Sequence, residues 1–450
     1  MSTRSIKLSL IALACGLLIA PVEQASAIGL IQAYNAALLN DPTYRSAIFD
    51  NQAGKEYKAI GRSGLLPTLQ YSYATSQNKA ETTAPNFQGK ETTSNTDYRS
   101  ITNNVSLRQT LFNLDAFARY KQGIAQSNYS DAQFNSRSMD LMIRLVSNYV
   151  EAKYAEDQLT LISAQRDSYA EQKRVNDHMF EKGEGTRTDM LETQARLDVA
   201  EAQVLEYTDN LTNARNTLAG MTGSDVTQLD GLGDGFNAMS LTPNNFEDWK
   251  SLAEANNAEL TAGRFNLEIA QQEIIKSKAG HAPRLDLNAG YNRGISDSYT
   301  TQKQDIAVRN IGIQLVIPLY SGGYVNAVSN QAVANRDRAR SDLDATTNKV
   351  MIELRKQFNA VRSSIGKVAA LQKSVDSATL LVEATKQSVK GGVRINLDVL
   401  NAQQQLMSSK RDLALARYTY LTSFLRLRVA AGVVNVDDLQ KVAGYFSAVN

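Results

Sequence analysis

Ile311-Gly312-Ile313-Gln314-Leu315-Val316-Ile317-Pro318-Leu319 carries an aliphatic side chain at every odd position. A period of two sends successive side chains to opposite faces, so the stretch predicts a β-strand with one apolar face. Three further stretches read the same way. They are Thr68-Leu69-Gln70-Tyr71-Ser72-Tyr73, the run Ile101, Asn103, Val105, Leu107, Gln109 and Leu111 with Asn104, Ser106 and Arg108 between, and Leu285, Leu287, Ala289 and Tyr291. Each is about 9 to 11 residues, the length a tilted strand needs to cross a bilayer. Four strands cannot close a barrel, and an open edge in hydrocarbon strands its N–H and C=O groups without partners. Two copies supply 8 strands and three supply 12, and three also leave an open lumen. The strands therefore predict a homotrimer with a 12-stranded β-barrel in contact with outer membrane lipid. Phe112 and Tyr320 end the second strand of each pair and Tyr98 begins one, where an interfacial aromatic girdle is expected.

The chain also reads as two structural repeats. Asn40, Phe49, Gly64, Pro67 and Leu69 recur as Asn256, Phe265, Gly280, Pro283 and Leu285. Further on, Gly183, Asp189, Leu191, Leu218 and Gly223 recur as Gly392, Asp398, Leu400, Leu427 and Gly432. The first repeat spans residues 28–236, with an opening helix over Ile31 to Ser63, strands at 68–76 and 99–112, and long helices at 113–182 and 187–221. The second spans 237–450, with a helix at 246–279, strands at 284–292 and 306–319, and long helices at 320–390 and 395–431. The links Ser76 to Asp97 and Asn292 to Asp305, rich in Thr, Ser, Asn and Gln, are expected to be loops in water.

No Pro occurs between Pro85 and Pro243 or after Pro318, so helix breakers are absent from the long helices. The segment Asn113 to Phe180, if continuous, is about 100 Å long at 1.5 Å per residue. On the helices alone a soluble coiled coil competes with a membrane protein. The strands decide for an α+β membrane protein, a β-barrel continued by an α-helical barrel.

Arg4 and Lys7 precede an apolar run from Leu8 to Ala20 and then Ala25-Ser26-Ala27, the pattern of a secretory signal covering 1–27. The only cysteine, Cys15, lies inside it, so disulfides and Cys-bound metals are not expected in the mature chain; lipidation at Cys15 is the lesser reading. With 48 basic and 46 acidic residues of alternating sign, the 450-residue chain offers no footprint for nucleic acid. No phosphate-loop, His-x3-His or nucleophile-elbow motif appears, so no enzyme, cofactor or metal is predicted. Gly231-Leu232-Gly233-Asp234-Gly235 reads as a surface turn. His178 and His281 are read as separate, and Trp249 as packing at the start of the second repeat.

These residues resemble the TolC family of outer membrane channel-tunnels. The likeness is carried by Ala36-x4-Asp41-Pro42, Leu66-Pro67-x-Leu69, Ala282-Pro283-x-Leu285, Leu111-Phe112 and Pro318-Leu319-Tyr320-Ser321-Gly322-Gly323, and spans essentially the whole mature chain. The opening Leu30-Ile31-Gln32-Ala33-Tyr34-Asn35 is more similar to the type I secretion branch. The resemblance implies a homotrimeric exit duct in the cell outer membrane with a large periplasmic portion. It would be joined through a periplasmic adaptor to an inner-membrane ABC transporter and would export polypeptides of the protease or lipase type. A multidrug efflux channel is the alternative, and a non-transporting helical surface protein is the alternative of another class.

The far ends of the long helices are the turns Gly183-Glu184-Gly185-Thr186-Arg187-Thr188-Asp189 and Gly391-Gly392-Val393-Arg394-Ile395-Asn396-Leu397-Asp398. Gly183, Gly185, Gly391 and Gly392 permit the reversals, and Thr188 or Asn396 is expected to cap the next helix. The resemblance implies that Arg394 bonds Thr188 and Asp189 to hold the periplasmic end closed, although Asp189 can equally act as a capping residue. Val389 stands where some members carry a Tyr lock. Two acidic positions facing the axis in some members match Asp398 and Asn401, which implies one acidic ring rather than two.

Overall fold

In the computed structural model, which describes residues 28–233, 235–296 and 304–447, two helical segments, α1 (Leu30–Asn40) and α2 (Pro42–Ser63), lead into a β-hairpin. The hairpin comprises β1 (Thr68–Pro85) and β2 (Glu91–Asn113), and the long helices α3 (Leu114–Glu181) and α4 (Arg187–Thr222) follow. After a short strand β3 (Gly231–Leu232) the order recurs: α5 (Phe246–Asn256), α6 (Ala258–Lys278), β4 (Arg284–Ser296), β5 (Gln304–Val316), α7 (Tyr324–Lys390) and α8 (Asn396–Ala430). The chain ends with α9 (Val436–Ala443) and β6 (Phe446–Ser447). The signal segment 1–27 with Cys15, Asp234 and part of the second strand link, 297–303, lie outside the described residues.

The four long strands form one antiparallel sheet in the order β1-β2-β4-β5. The register carries each face across all four: Leu69 stands opposite Leu107, Leu107 opposite Ala289, and Ala289 opposite Ile311. On the other face Gln70, Ser106, Gly290 and Asn310 are aligned in the same way. One face is thus apolar and exposed, with Leu69 at 72% and Ile311 at 77%, and the other is polar. A register shift between Thr110 and Phe112 brings Phe112 opposite Leu285, onto the apolar face. Among the described residues no helix is long and apolar enough to cross a membrane.

Several expected boundaries move, each for a local reason. Most of the expected loop 76–97 is strand, because its threonines suit a pleated backbone and its polar groups bond across the ladder: Ser76 Oγ to Ser100 Oγ at 2.7 Å and Thr83 Oγ1 to Thr93 Oγ1 at 2.9 Å. The reversal is confined to Asn86–Lys90, where Gly89 has φ +73°. At the other edge β5 stops at Val316, since Pro318 has no N–H for a ladder. The opening helix divides at Asp41, whose side chain accepts a hydrogen bond from Tyr44 N at 2.6 Å while Pro42 takes the first helical position. Its counterpart divides at Asn257, which caps Leu260 N at 3.0 Å. The long helix expected from 320 starts at Tyr324, because Gly322 and Gly323 hold positive φ values of 61° and 79°. Gly231 and Leu232 are not a free turn: they pair with Ser447 and Phe446.

The helix α3 has 68 residues and α7 has 67, each about 100 Å long. The shorter helices stack in pairs to match them. Asn40 Nδ2 donates to Thr222 O at 2.7 Å, joining the end of α4 to the last residue of α1, just ahead of α2. Asn257 Nδ2 donates to Ala430 O at 2.9 Å, joining α8 to α6, and this pair lies between α3 and α7. The main core lies at mid-length, where Leu141, Leu145 and Tyr149 of α3 meet Leu218, Trp249, Leu421 and Leu439. Trp249 is fully enclosed, with its Nε1 donating to Pro243 O at 2.8 Å. Only small clusters continue toward the tips, such as Ile162, Tyr169, Leu197, Ala200 and Leu400.

Two consequences are testable. A Cβ on Gly123 would lie 2.3 Å from Tyr57 O, so Gly123→Val must part α2 from α3 and cost about 1–3 kcal/mol. Gly366, with open space around it, should by contrast accept Ala with a gain of up to about 1 kcal/mol; thermal melts followed by circular dichroism compare the two. The Tyr418 hydroxyl donates to Asp157 Oδ2 at 2.6 Å, and burial followed by the Asp157 charge raises its pKa. A raised folded pKa gives stability that is complete below the unfolded value of about 10 and is lost above it. Tyr418→Phe should therefore flatten the fall in stability above about pH 10 measured by denaturant titration.

Candidate channel gate at the helix tips

The reversal after α3 is closed by Glu184 N and Gly185 N donating to Met179 O at 2.9 and 3.1 Å, and Gly183 turns the chain at φ +76°. Thr186, not Thr188, caps α4: it has extended backbone angles, and its Oγ1 accepts from Asp189 N at 3.0 Å. Thr188 already lies inside the helix and is exposed. The reversal after α7 has the same form, with Val393 N donating to Ser388 O at 3.0 Å and Gly392 at φ +72°. Ile395 occupies the cap position of α8 without a side-chain bond, and Asn396 is the first helical residue. Its side chain turns elsewhere.

Asn396 Nδ2 donates to Asn176 Oδ1 at 3.0 Å, which ties the α7–α8 hairpin to α3. Asn176 is buried, and its own Nδ2 reaches Thr193 Oγ1 at 2.7 Å and Asp189 O at 3.3 Å. Further back, Arg196 of α4 sets its guanidinium against α8, donating to Asn401 Oδ1 at 2.9 Å and Gln404 Oε1 at 3.0 Å, and to Glu192 at 3.2 Å. Gln403 Nε2 donates to Ser168 Oγ at 2.9 Å. The two hairpins are therefore joined toward their tips by hydrogen bonds, two of them from the Arg196 guanidinium, and by the small apolar cluster around Leu400, against the extensive apolar packing at mid-length.

The expected contact between Arg394 and the Thr188-Asp189 pair is not made within the chain. Asp189 instead accepts a hydrogen bond from Thr186 Oγ1 at 2.6 Å, and Arg394 is exposed without an ion pair among the described residues. Asp398 is half-buried and likewise has no ion pair among them. Asn401 is exposed, with its amide oxygen held by Arg196. Val389 lines a cleft of about 900 Å³ between α3 and α7 with Val175, Met179, Leu380 and Val399. His178 sits 4.0 Å from Glu181 and His281 bonds Asn326 at 3.1 Å. No metal-binding cluster occurs among the described residues.

Of the expected aromatic girdle, Phe112 lies on the apolar face and Tyr320 is exposed just after β5. Tyr98 does not join them. It stands opposite Asn78, on the face of the polar residues, because it is an even position in a strand whose apolar face is odd. The aromatics on the apolar face at that end are Tyr71, Tyr73 and Tyr291, which alternation alone identifies. Arg196 and Asn176 carried no such signal, since a mid-helix Arg with Glu192 four residues before it reads as a solvated pair.

A sheet with one apolar exposed face, continued by paired helices of about 100 Å, defines an outer membrane protein of the channel class. The chain belongs to the outer membrane efflux protein family, which matches residues 33–224 and 249–433. It is 40% identical over 426 residues to the alkaline protease secretion protein AprF of Pseudomonas aeruginosa, covering 94% of this chain and 88% of that one. It is 39% identical to the proteases secretion protein PrtF of Dickeya chrysanthemi, covering 94% and 92%, and 28% identical to the outer membrane protein TolC of Vibrio cholerae, covering 92% of each. Among solved structures it shares the fold of the Campylobacter jejuni CmeC outer membrane channel, with a TM-score of 0.76 at 16% identity over 99% of this chain and 98% of that one.

Asn176→Ala would leave Asn396 Nδ2 without its partner on α3 and remove a buried donor to Thr193 Oγ1, which keeps its bond to Asp189 O, costing about 1–3 kcal/mol. The expected outcome is faster proteolytic cleavage at the Gly183 and Gly391 turns, with the melting of the main core unchanged.

Proposed function

We propose that three copies of the chain close one 12-stranded barrel and that their helices continue it as a tunnel through the periplasm. This reading makes the chain the outer membrane exit duct of a type I secretion system, passing polypeptides of the protease or lipase type. The observation that carries it is the four-stranded sheet with two unpaired edges and one apolar face, in a chain 40% identical across nearly its whole length to a protease secretion protein. The two structural repeats, 28–236 and 237–450, each supply one hairpin to the barrel and one pair of long helices to the tunnel. The signal ends at Ala27. The partners are an inner-membrane ABC transporter and a periplasmic adaptor, and the chain itself performs no reaction, since the energy for export is supplied by the transporter.

The tips form the gate. Arg394 is free to reach Thr188 and Asp189 of a neighbouring copy, and a guanidinium fork suits that carboxylate. Asp398 repeats threefold around the axis as a single acidic ring, because the residue one turn on is the neutral Asn401, already engaged by Arg196. Val389 leaves an apolar cleft at this level instead of a further polar lock.

In a strain lacking the gene, the chain should restore protease secretion while leaving drug susceptibility unchanged; restored drug resistance without secretion would instead assign it to multidrug efflux. Asp398→Asn should lower the potassium-over-chloride permeability ratio of single channels by at least about twofold and weaken block by divalent cations. An unchanged ratio would remove Asp398 from the constriction.

A further inference from the structure

The apolar face of the sheet becomes mixed over three rows of residues. The row Leu69, Leu107, Ala289 and Ile311 is apolar throughout; the next holds Tyr71, Val105, Tyr291 and Arg309, the one beyond holds Tyr73, Asn103, Arg293 and Ala307, and the third pairs Thr75 and Asp305 with Ile101 and Ile295. On β5 the alternation inverts at Arg309. Below it the aliphatics Ile311, Ile313 and Leu315 occupy the apolar face, and above it Ile306 and Val308 occupy the opposite one, leaving Arg309 and Asp305 outward. A guanidinium is unfavourable at bilayer depth and tolerated near the interface, and Tyr favours that level. The rows from Arg309 to Asp305, which mix Arg, Tyr and Asp with Ile101 and Ile295, therefore mark an interfacial zone.

On β4 and β5 the two arginines of these rows, Arg293 and Arg309, face one carboxylate, Asp305, while farther out on the same face Lys79 and Arg99 are matched by Glu81, Glu91 and Asp97. Arg309 lies with its guanidinium carbon 5.7 Å from the centre of the Tyr291 ring and makes no ion pair among the described residues. Arg293 is oriented by Asp305, through Nε at 3.1 Å and Nη2 at 2.7 Å. Farther out, Arg99 Nε donates to the Thr75 hydroxyl at 3.1 Å, and Lys79 lies 3.9 Å from Asp97. All four cations are exposed on the same side of the sheet. Beyond the outermost β2–β4 pair, Ser100 and Ser296, the β1–β2 hairpin continues to Pro85 and Glu91, a rise of about 30 Å. Its side chains there are mostly hydroxyls and amides. Such a surface suits water or a hydrated sugar layer rather than hydrocarbon.

We propose, on the reading that this sheet stands in an outer membrane, that Arg293 and Arg309 form a docking rim for the phosphate groups of a phosphorylated glycolipid of the outer leaflet. Arg309 supplies an unshared guanidinium fork within cation–π distance of Tyr291, and Arg293 supplies a second with its orientation fixed by Asp305. Arg99 and the hairpin hydroxyls above them meet the sugars.

The test adds a diphosphorylated glucosamine glycolipid, its dephosphorylated form, or phosphatidylglycerol to the full chain in detergent and counts retained lipid by native mass spectrometry. The wild type should retain the phosphorylated glycolipid about tenfold better than either competitor. The double variant Arg293→Gln, Arg309→Gln should bring the three to within about twofold of one another, Arg309→Lys should keep part of the preference, and all should conduct equally in synthetic phospholipid bilayers. A preference that survives the double variant overturns the proposal, as does a wild type that retains phosphatidylglycerol equally well. Pores without lipid preference defeat the rim alone, whereas absence of pores defeats the membrane reading on which it rests.

Discussion

The edges of the sheet constrain everything else in this molecule. β1 and β5 each have a strand neighbour on one side only, and their large aliphatic and aromatic side chains face outward. In water such an edge is a site of aggregation; in hydrocarbon it is untenable, because an unpaired N–H or C=O has nothing to bond. The apolar face calls for lipid and the edges forbid an isolated chain there. In the proposed assembly, association with further copies meets both demands, and 12 strands is the count that keeps a lumen open.

The helices carry that arrangement away from the membrane. The rise of about 100 Å in α3 and α7 is possible because no Pro interrupts them, and the paired shorter helices keep them covered along their length. Packing is not uniform along that axis. Leu, Tyr and Trp lock the two halves together at mid-length, whereas Asn176, Asn396, Arg196 and Asn401 join them at the tips through exchangeable hydrogen bonds. A structure firm at its middle and polar at its ends can move its ends without unfolding.

Most of the architecture was legible in the sequence because its signals are local. The period of two in Ile311 to Leu319 and the missing prolines each report a backbone property that needs no tertiary information. The stretch 76–97 reads as a loop for the complementary reason: Thr, Ser and Asn are common to polar loops and to strands whose two faces are both wet, and only cross-strand partners distinguish them. Tyr98 was placed with the girdle by its position near a presumed strand end, and strand parity, visible only once the register is known, moves it to the other face. At the tips the sequence located the glycines and Arg394, but Arg394 makes no contact with Thr188 and Asp189 of its own chain, and the Arg196 contact joins residues 205 positions apart. Long-range pairs of this kind leave no periodic trace.

The most direct test of the account is the mass and conductance of the detergent-purified protein. The account predicts stable trimers that insert into planar bilayers and conduct in small cation-selective steps. Monomers or dimers that conduct nothing would contradict closure by three copies, and with it the assignment of the apolar sheet face to lipid.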